Sequence, residues 1–326
     1  MAPVNRNQPK KATSSTSTYT VMDLMRDFPD DATCLAYLWE RHYATVDAEH
    51  AHCPKCGEVR KFHRVASRPS YSCDVCGHHI HPTANTIMHK SSTSLQLWFH
   101  AIFLMAQTRM GISAKQLERE LGVTYKTAWR MFTKIRNELM VDDDTVLVGS
   151  VEADETYVGG KPRGAPPNNS RHDGDGRHRG RGGRSRDQKQ PVFGMVERGG
   201  RARAYPIPDA SAANLVGGLR KHVAAGTTVY TDTYLGYHPM KHEMFDHRQI
   251  NHRDGSYVVG DIHTNTIEGF WSIVKNGIRG SHRHVSKKWL QGYLNEYVWR
   301  YSHRDDTHPM FLSLLEHVSL SGPFAY

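Results

Sequence analysis

Four cysteines in two C-x2-C pairs constrain the fold of this chain more than any other sequence feature. The pairs are Cys53/Cys56 in CPKC and Cys73/Cys76 in CDVC, with 16 residues between them. Two such pairs about 15 to 20 residues apart are typical of zinc sites. Four thiolates complete the tetrahedral shell of a structural ion and leave no open position for chemistry. We therefore expect a zinc ribbon at residues 51–82 that holds a structural Zn²⁺.

Charge and apolar content indicate the kind of partner. The chain of 326 residues has 42 Lys and Arg against 33 Asp and Glu, a formal net charge of +9. An excess of positive charge favours a polyanionic partner such as DNA. The longest apolar stretch, residues 97–106, is far shorter than the ~18 residues that cross a membrane, and the N-terminus lacks the apolar core of a signal peptide. We expect a cytoplasmic protein with no membrane partner, because paired cysteines suit metal binding in a reducing compartment.

Changes in residue pattern divide the chain into five segments. They are a disordered arm (1–20), a helical segment plus zinc ribbon (21–90), a helix-turn-helix-like DNA-binding region (91–144), a mixed α/β domain (145–305) and a C-terminal tail (306–326). Within the fourth segment, residues 162–190 are rich in Arg and Gly and cannot form a core. We expect a flexible basic insertion there.

The helix-turn-helix prediction depends on a short helical pair. Ala114–Leu121 is expected to form a first helix, and Gly122 begins the turn that leads into a second helix from Thr124. The apolar residues that fit a small core are Ile112, Leu117, Leu121, Val123, Ala128, Trp129 and Phe132. The residues expected to face DNA near the start of the second helix are Tyr125, Lys126, Thr127 and Arg130. The alternative is an ordinary helical pair without a DNA-binding role.

Strand and helix patterns follow in a definite order after residue 145. A strand-like run, TVLVGSVEADETYVGG, precedes a hairpin centred on Gly199 and Gly200. A helix (SAANLVGGLRKHVA), a buried strand (TTVYTD), another strand (FDHRQINH) and an amphipathic helix (HTNTIEGFWSIVKNGIRG) come next. Thr264 or Thr266 is expected to cap that last helix. This order predicts a mixed α/β domain, so the whole chain is an α+β multidomain protein.

Carboxylates occur at the strand ends and on the last helix of this domain. Asp154 and Asp232 lie where strands give way to loops, and Glu268 lies beside the apolar stripe of the helix. Converging carboxylates repel one another unless cations lie between them, and two Mg²⁺ ions about 4 Å apart serve phosphodiester chemistry. Glu152 and Glu155 flank Asp154, and we predict structural roles for both on the other face of the strand.

The spacing of these residues resembles a known family. There are 35 residues between Asp232 and Glu268, and Lys275 follows seven positions after Glu268. Together with the blocks ADETYVGGK, YTDTYLGY and HTNTIEGFWSIVK, this pattern resembles the DDE transposases of bacterial insertion sequences. Within them it is similar to the group with an N-terminal zinc ribbon and an RNase H-like catalytic domain. The resemblance covers roughly residues 30–310.

The resemblance implies specific roles. Asp154, Asp232 and Glu268 are expected to be the catalytic triad that binds two Mg²⁺ ions, with Mn²⁺ as a substitute. Lys275 is expected to contact transposon-end DNA. Asn265 is a further candidate for the site, because some members of the group have Asn as the third residue. The insertion at 162–190 departs from the family pattern and is either a DNA-contacting arm or a tolerated loop.

The resemblance also implies partners and a reaction. The partner expected is double-stranded DNA, both at the transposon ends and at the target. The protein is expected to form a homo-oligomer on that DNA, in the bacterial cytoplasm at the nucleoid. Arg283 and Lys287, in the basic stretch after the last helix, are predicted to hold phosphates. The expected reaction is metal-dependent phosphodiester hydrolysis followed by strand transfer. Two alternatives are a DNA-binding regulator without catalysis and an RNase H-like nuclease without strand transfer.

Overall fold

The computed structural model describes residues 19–44, 47–141, 145–159, 189–250 and 263–318. The chain divides into two compact units. The first comprises Met1–Gln107, Glu118–Leu139 and His303–Tyr326, and the second comprises Thr108–Leu117 and Met140–Ser302. Residues 1–18 of the predicted arm and nearly all of the predicted basic insertion lie outside the described residues, whereas Thr20, at the end of that arm, caps α1 (Val21–Asp27). Of the helices in the described ranges, none is both long enough and apolar enough to cross a membrane.

In chain order the helices and strands are α1 (Val21–Asp27), α2 (Asp31–His42), β1 (His50–Cys53), β2 (Glu58–Val65), β3 (Ser70–Cys73), β4 (His79–Ile80), α3 (Leu95–Gln107), α4 (Ala114–Leu121), α5 (Tyr125–Lys134), β5 (Ser150–Gly159), β6 (Lys189–Glu197), β7 (Ala202–Pro206), α6 (Ala212–His222), β8 (Thr228–Asp232), β9 (Asp246–Ile250), α7 (Asn265–Gly277), α8 (Leu290–Ser302) and α9 (Met310–His317). From β5 to α7 the helices and strands follow the predicted order. The mixed α+β class predicted from the sequence is confirmed.

The first unit has an aromatic core that includes a helix not predicted from the sequence. Phe28 packs on Phe99 of α3 with ring centroids 4.9 Å apart, and Phe311 of α9 lies 5.7 Å from Phe103. From the sequence alone, the region of α9 is expected to be a tail. A helix of eight residues has little stability of its own, and α9 is stabilised here because its apolar residues are buried against α3.

The ribbon in the first unit is an antiparallel sheet of order β1-β2-β3-β4. Its four strands lie within residues 50–80, close to the predicted ribbon. Trp39 of α2 stacks on Tyr71 of β3 with ring centroids 4.1 Å apart, so aromatic packing attaches the ribbon to the preceding helix. Cys34, the fifth cysteine, lies in α2, where it is fully buried in the core and separate from the paired cysteines.

The predicted helix-turn-helix elements are present at the expected positions. The α4 helix has the predicted bounds, and Thr124 caps α5 by accepting a hydrogen bond from the backbone N–H of Thr127 at 3.3 Å. Gly122 has a φ of +63°, a conformation that favours glycine. Ala128 and Phe132 are fully buried. The elements are therefore as expected, and their DNA-binding role stays a prediction.

The second unit is built on a five-stranded sheet of order β7-β6-β5-β8-β9. β5 pairs with β6, and β6 with β7, in antiparallel fashion, whereas β5 with β8 and β8 with β9 are parallel pairs. The predicted hairpin turn at Gly199, with a φ of +74°, joins β6 to β7. β5, which carries Asp154, is therefore the central strand and is paired on both edges.

Helices cover both faces of this sheet. Phe193 and Gly194 are adjacent in β6 and therefore point to opposite faces. On one face, a Cβ added to Gly218 of α6 would lie 2.9 Å from the Phe193 ring, and on the other a Cβ added to Gly194 would lie 2.3 Å from the Trp271 ring of α7. Both helices pack so close to the sheet that a side chain larger than that of glycine would clash at these two positions. They place α6 and α7 on opposite sides of the sheet, as expected of an RNase H-like mixed α/β domain.

Candidate active site and structural metal centre

Two of the predicted carboxylates lie on neighbouring parallel strands. Glu152 of β5 is opposite Tyr230 of β8 in the strand register. Two residues further along each strand come Asp154 and Asp232, so the register places these residues side by side. Asp232 also accepts a hydrogen bond from the backbone N–H of Tyr234 at 2.9 Å, which orients its carboxylate in the loop after β8.

The environment of Asp154 disfavours a negative charge. Burial, followed by the charges of Glu155 and Asp232, raises the pKa of Asp154 to about 7, against the opposing effect of the Lys275 ammonium. A buried group whose pKa is shifted by a specific charged neighbour is a candidate for a functional site. Oxygen ligands of this kind fit Mg²⁺, and a cation bound there would favour the charged carboxylate.

The helix α7 carries the other two residues of the predicted site. Glu268 is exposed in its first turn and accepts a hydrogen bond from the Thr264 hydroxyl at 3.2 Å. Lys275 is half-buried in the last turn, where burial lowers its pKa while the charge of Asp154 acts in the opposite direction. The cation is thus within electrostatic range of the central strand, as well as of Arg279 and Lys189.

The structure brings some of these groups together and leaves others apart. In the part of the chain that is described, only the four paired cysteines form a group of three or more metal-binding side chains whose ligand atoms all lie within 4.8 Å of one another. Asp154, Asp232 and Glu268 therefore do not surround a single point at that distance. Ligands of two ions about 4 Å apart are spread more widely. The shared metal pair of these three residues stays a prediction.

Glu152 is the important residue that sequence analysis placed wrongly. It lies two positions before Asp154, so strand alternation puts both side chains on the same face. Its carboxylate is buried and accepts hydrogen bonds from the backbone N–H groups of Thr266 and Ile267 at 2.8 and 3.0 Å. Thr264, one of the two predicted capping residues of α7, occupies the N-cap position but makes no side-chain capping bond, and Thr266 lies within the helix. The two-residue period would have placed Glu152 correctly, but nothing in the sequence indicates its bond to α7.

Glu155 lies on the strand face predicted for it, and its contacts fit a structural role. It is adjacent to Asp154 and faces the other side of the sheet, where the hydroxyl of fully buried Tyr237 donates to its Oε2 at 3.3 Å. Burial, and then the charge of Glu155, raise the pKa of Tyr237 well above its usual value. This pair thus belongs to the packing of the sheet against its opposite face.

The cysteine centre is built from two similar turns. Cys53 ends β1 and Cys73 ends β3, and each carbonyl accepts a hydrogen bond from a glycine four residues later. These glycines, Gly57 and Gly77, have φ values of +74° and +67°. An added Cβ would meet no atom within 4 Å at either position, so the left-handed backbone conformation is the reason for glycine there.

The cysteine sulfur atoms are spaced as a zinc ion requires. The Sγ atoms of Cys53 and Cys76 are 3.6 Å apart, and those of Cys56 and Cys73 are 3.9 Å apart. Zn–S bonds of about 2.3 Å in a tetrahedron give S···S separations of about 3.8 Å. The donor set and its spacing therefore fit a closed structural site, which can hold a metal such as zinc.

The remaining predicted DNA-contacting residues lie on the surface of their units. The exposed ones are Tyr125, Lys126, Arg130, Arg283 and Lys287, whereas Thr127 is partly buried. Arg130 donates to the carbonyl of His89 at 3.4 Å. Asn265 is exposed as the first residue of α7, three positions before Glu268. DNA contact by the first six of these residues, and the role of Asn265 as a further residue of the carboxylate site, stay predictions.

Comparisons with known proteins identify similar sequences. Residues 146–302 match the ISXO2-like transposase domain. The chain is 31% identical over 259 residues to an uncharacterized protein in the transposable element ISH50 of Halobacterium salinarum, covering 76% of this chain and 84% of that protein. It is 27% identical over 99 residues to an uncharacterized transposase-like protein of Haemophilus influenzae, covering 30% of this chain and 79% of that one.

A solved structure also shows a partial likeness. The crystal structure of a pre-cleavage Mos1 transpososome contains a chain of 13% sequence identity, with 70% of this chain and 80% of that chain covered. The TM-score is 0.25, which is too low to support a conclusion about a shared arrangement.

Proposed function

Because this chain belongs to the DDE transposases of insertion sequences, with an ISXO2-like transposase domain, we propose that it moves a DNA segment by cutting and joining phosphodiester bonds. It binds the inverted-repeat ends of the element, hydrolyses a phosphodiester to free a 3′-hydroxyl, and uses that hydroxyl to attack target DNA. Double-stranded DNA is both its partner and its substrate, and a homo-oligomer assembles on that DNA in the bacterial cytoplasm.

The observation that carries this proposal is the position of Asp154 and Asp232 on adjacent parallel strands. Burial and charge repulsion raise the pKa of Asp154 to about 7, so its charged form is costly unless a cation is bound nearby. The helix α7, which bears Glu268, packs on the same face of the sheet through Trp271. Asp154, Asp232 and Glu268 would together hold two Mg²⁺ ions, or Mn²⁺ in their place.

The side chains around the carboxylates would position DNA. The metal ions, when bound, supply an activated attacking oxygen and a stabilised leaving oxygen. Lys275, Arg283 and Lys287 would contact phosphates of the transposon end, and Asn265 would contact the reacting strand near Glu268. In the first unit, Tyr125, Lys126, Thr127 and Arg130 would contact the inverted repeat, while the ribbon zinc has a structural role.

A cleavage and joining assay tests the proposal. The purified chain is incubated with Mg²⁺ and a DNA that carries the inverted repeats flanking its gene, and nicked, excised and joined products are separated. We expect both cleavage and joining, and loss of both in Asp232→Asn. The matched control is Asp246→Asn, which alters an exposed Asp at the other end of the sheet and should leave both steps unchanged.

The outcomes separate the alternatives. If the protein cleaves DNA but does not join it, even when precut ends are supplied as the substrate, it is a nuclease without strand transfer. A DNA-binding regulator would bind the ends specifically, with the same affinity in the parent and in Asp232→Asn, and would not cleave DNA in Mg²⁺ or Mn²⁺. That result would contradict the proposal.

A further inference from the structure

We propose that Glu152 is a positioning residue that anchors the N-terminus of α7 to the central strand and so sets the place of Glu268 relative to Asp154 and Asp232. This inference rests on the proposed function, because it assigns a reason for the position of a metal-binding helix. It concerns a carboxylate that does not itself bind the metal. Two sets of contacts, both made by the carboxylate oxygens of Glu152, support it.

The first contacts of Glu152 are with the start of α7. Oε2 accepts the backbone N–H groups of Thr266 and Ile267 at 2.8 and 3.0 Å, and Oε1 accepts the Thr266 hydroxyl at 2.9 Å. The first N–H groups of a helix have no partner within the helix, and a carboxylate there is also favoured by the helix dipole. Here this carboxylate comes from a strand 114 residues earlier in the chain.

The second set of contacts holds Glu152 in place. The Nε of Arg198, at the β6–β7 turn, donates to Oε1 at 2.7 Å, and the Nη2 of the same guanidinium donates to the carbonyl of His263 at 2.9 Å. The guanidinium also lies 4.0 Å above the ring of Tyr230 in β8. Arg198 therefore binds both Glu152 and His263, which precedes α7. It also packs on Tyr230 of β8, the strand that ends in Asp232.

The side chain of Glu152 is fully buried, whereas the side chain of Arg198 is 20% exposed. A buried carboxylate is tolerated when its charge is paired and its oxygens are hydrogen-bonded, and both conditions hold. Glu152 is two residues from Asp154 on the same strand face. The N–H groups that it binds belong to the two residues immediately before Glu268. A displacement of α7 along the sheet would therefore move Glu268 directly.

The test compares metal affinity with fold stability in the full-length protein. Mn²⁺ binding is measured by the electron paramagnetic resonance signal of free Mn²⁺, and the site is defined as the binding that Asp154→Asn abolishes. Changes to groups that orient metal ligands typically cost about 10- to 100-fold in affinity. For Glu152→Gln, which keeps the shape but removes the charge, we expect at least about tenfold weaker Mn²⁺ binding and faster amide exchange in the first turn of α7.

Two further variants complete the design. Glu296→Gln is the matched control, because Glu296 is also fully buried and paired with an arginine, Arg300 at 2.5 Å, but lies on α8. It should lower thermal stability and leave Mn²⁺ affinity within twofold of the parent. Thr266→Val removes only the hydroxyl contact to Glu152 and should weaken Mn²⁺ binding about threefold in a folded protein, which keeps the test decisive if Glu152→Gln does not fold.

The possible results are distinguishable. Folded Glu152→Gln that melts at a lower temperature but binds Mn²⁺ within twofold of the parent would overturn the anchoring role and leave Glu152 as a purely structural residue. Thr266→Val with unchanged Mn²⁺ affinity would overturn it equally if Glu152→Gln is unfolded. If the parent shows no Mn²⁺ binding that depends on Asp154, the proposed function fails instead.

Discussion

The cysteine centre and the carboxylate site of this protein are assembled in opposite ways. The cysteines come from one stretch of sequence between Cys53 and Cys76, on two turns of a small ribbon, and their sulfur atoms already have tetrahedral spacing. The carboxylates come from β5, β8 and α7, which span Asp154 to Glu268, and their oxygens do not meet at one point.

The difference fits the role proposed for each site. A structural zinc site is closed, and its binding free energy contributes directly to folding. A site that acts on DNA must leave room for metal ions, water and phosphate, so its carboxylates are held apart by a rigid framework. The framework here consists of a paired central strand, a helix packed on Gly194, and the Glu152 contacts. The following experiments contrast the two sites, starting with the largest expected effect.

Cys53→Ser should abolish the zinc site. Structural zinc binding is worth about 10 kcal/mol or more at neutral pH, so the ribbon should lose its order while β5 and β8 stay protected. Elemental analysis and amide hydrogen exchange of the purified protein measure the two effects. Cys34→Ser, in the core of α2, is the control and should retain the zinc. A parent protein without zinc, whose four paired thiols titrate freely, would contradict the closed site.

Glu268→Ala should abolish chemistry without unfolding the protein. Loss of a metal-binding carboxylate removes several kcal/mol of transition-state stabilisation, so DNA cleavage should fall by about 10³-fold or more. Binding of end DNA, followed by fluorescence anisotropy, should stay within about twofold of the parent. Asn276→Ala, an exposed position on the same helix, should preserve cleavage. Cleavage by Glu268→Ala at the parental rate would remove Glu268 from the site.

Asp154→Asn should stabilise the protein when no divalent cation is added. The pKa of Asp154 is about 7 in the folded state and about 4 in an unfolded chain. Between these values the folded state holds more protons, so the stability of the parent falls as pH rises through this window. The Asn variant lacks this penalty and should be more stable at pH 8, by at most about 4 kcal/mol, with little difference at pH 4.

Urea unfolding of the second unit, followed by hydrogen exchange of β5 and β8, measures this effect. The zinc site offers the contrast, because substitution of a cysteine should destabilise its unit under every condition. If Asp154→Asn were less stable than the parent at pH 8, the carboxylate would not be under the electrostatic strain inferred from its burial and its neighbours.

Lys275→Ala should have the smallest effect of the four. The change should weaken end-DNA binding and slow cleavage moderately, and the slope of log affinity against log salt should fall by about one charge if the contact is to a phosphate. Mn²⁺ affinity should be equal to that of the parent or slightly higher, because a cation facing Asp154 is removed. Lys221→Ala, in the last turn of α6 on the opposite face of the sheet, is the control.

Unchanged end binding and unchanged cleavage in Lys275→Ala would show that its ammonium serves only the charge balance around Asp154. If the slope of log affinity against log salt falls by one charge and the Mn²⁺ affinity is unaltered, Lys275 contacts the DNA and not the metal ligands.

Local sequence patterns were enough to determine several features of this protein. The C-x2-C pairs predicted the ribbon, the strand and helix periods predicted β5 to α7 in the observed order, and Gly122 marked the turn between α4 and α5. Each of these features depends on residues that are close together in the chain. The family resemblance added roles for Asp154, Asp232, Glu268 and Lys275, which spacing in the sequence can suggest without geometry.

Only the tertiary structure decided what holds the carboxylate site together. The register of β5 and β8 places Asp154 beside Asp232, Trp271 packs where Gly194 has no side chain, and α9 exists because α3 covers its apolar face. Glu152 is the clearest case, since the sequence predicted that Thr264 or Thr266 would cap α7, whereas the carboxylate of Glu152 binds its first N–H groups. The bond joins residues 114 positions apart, and no local propensity encodes such a contact, because it forms only when the helix has packed on the sheet.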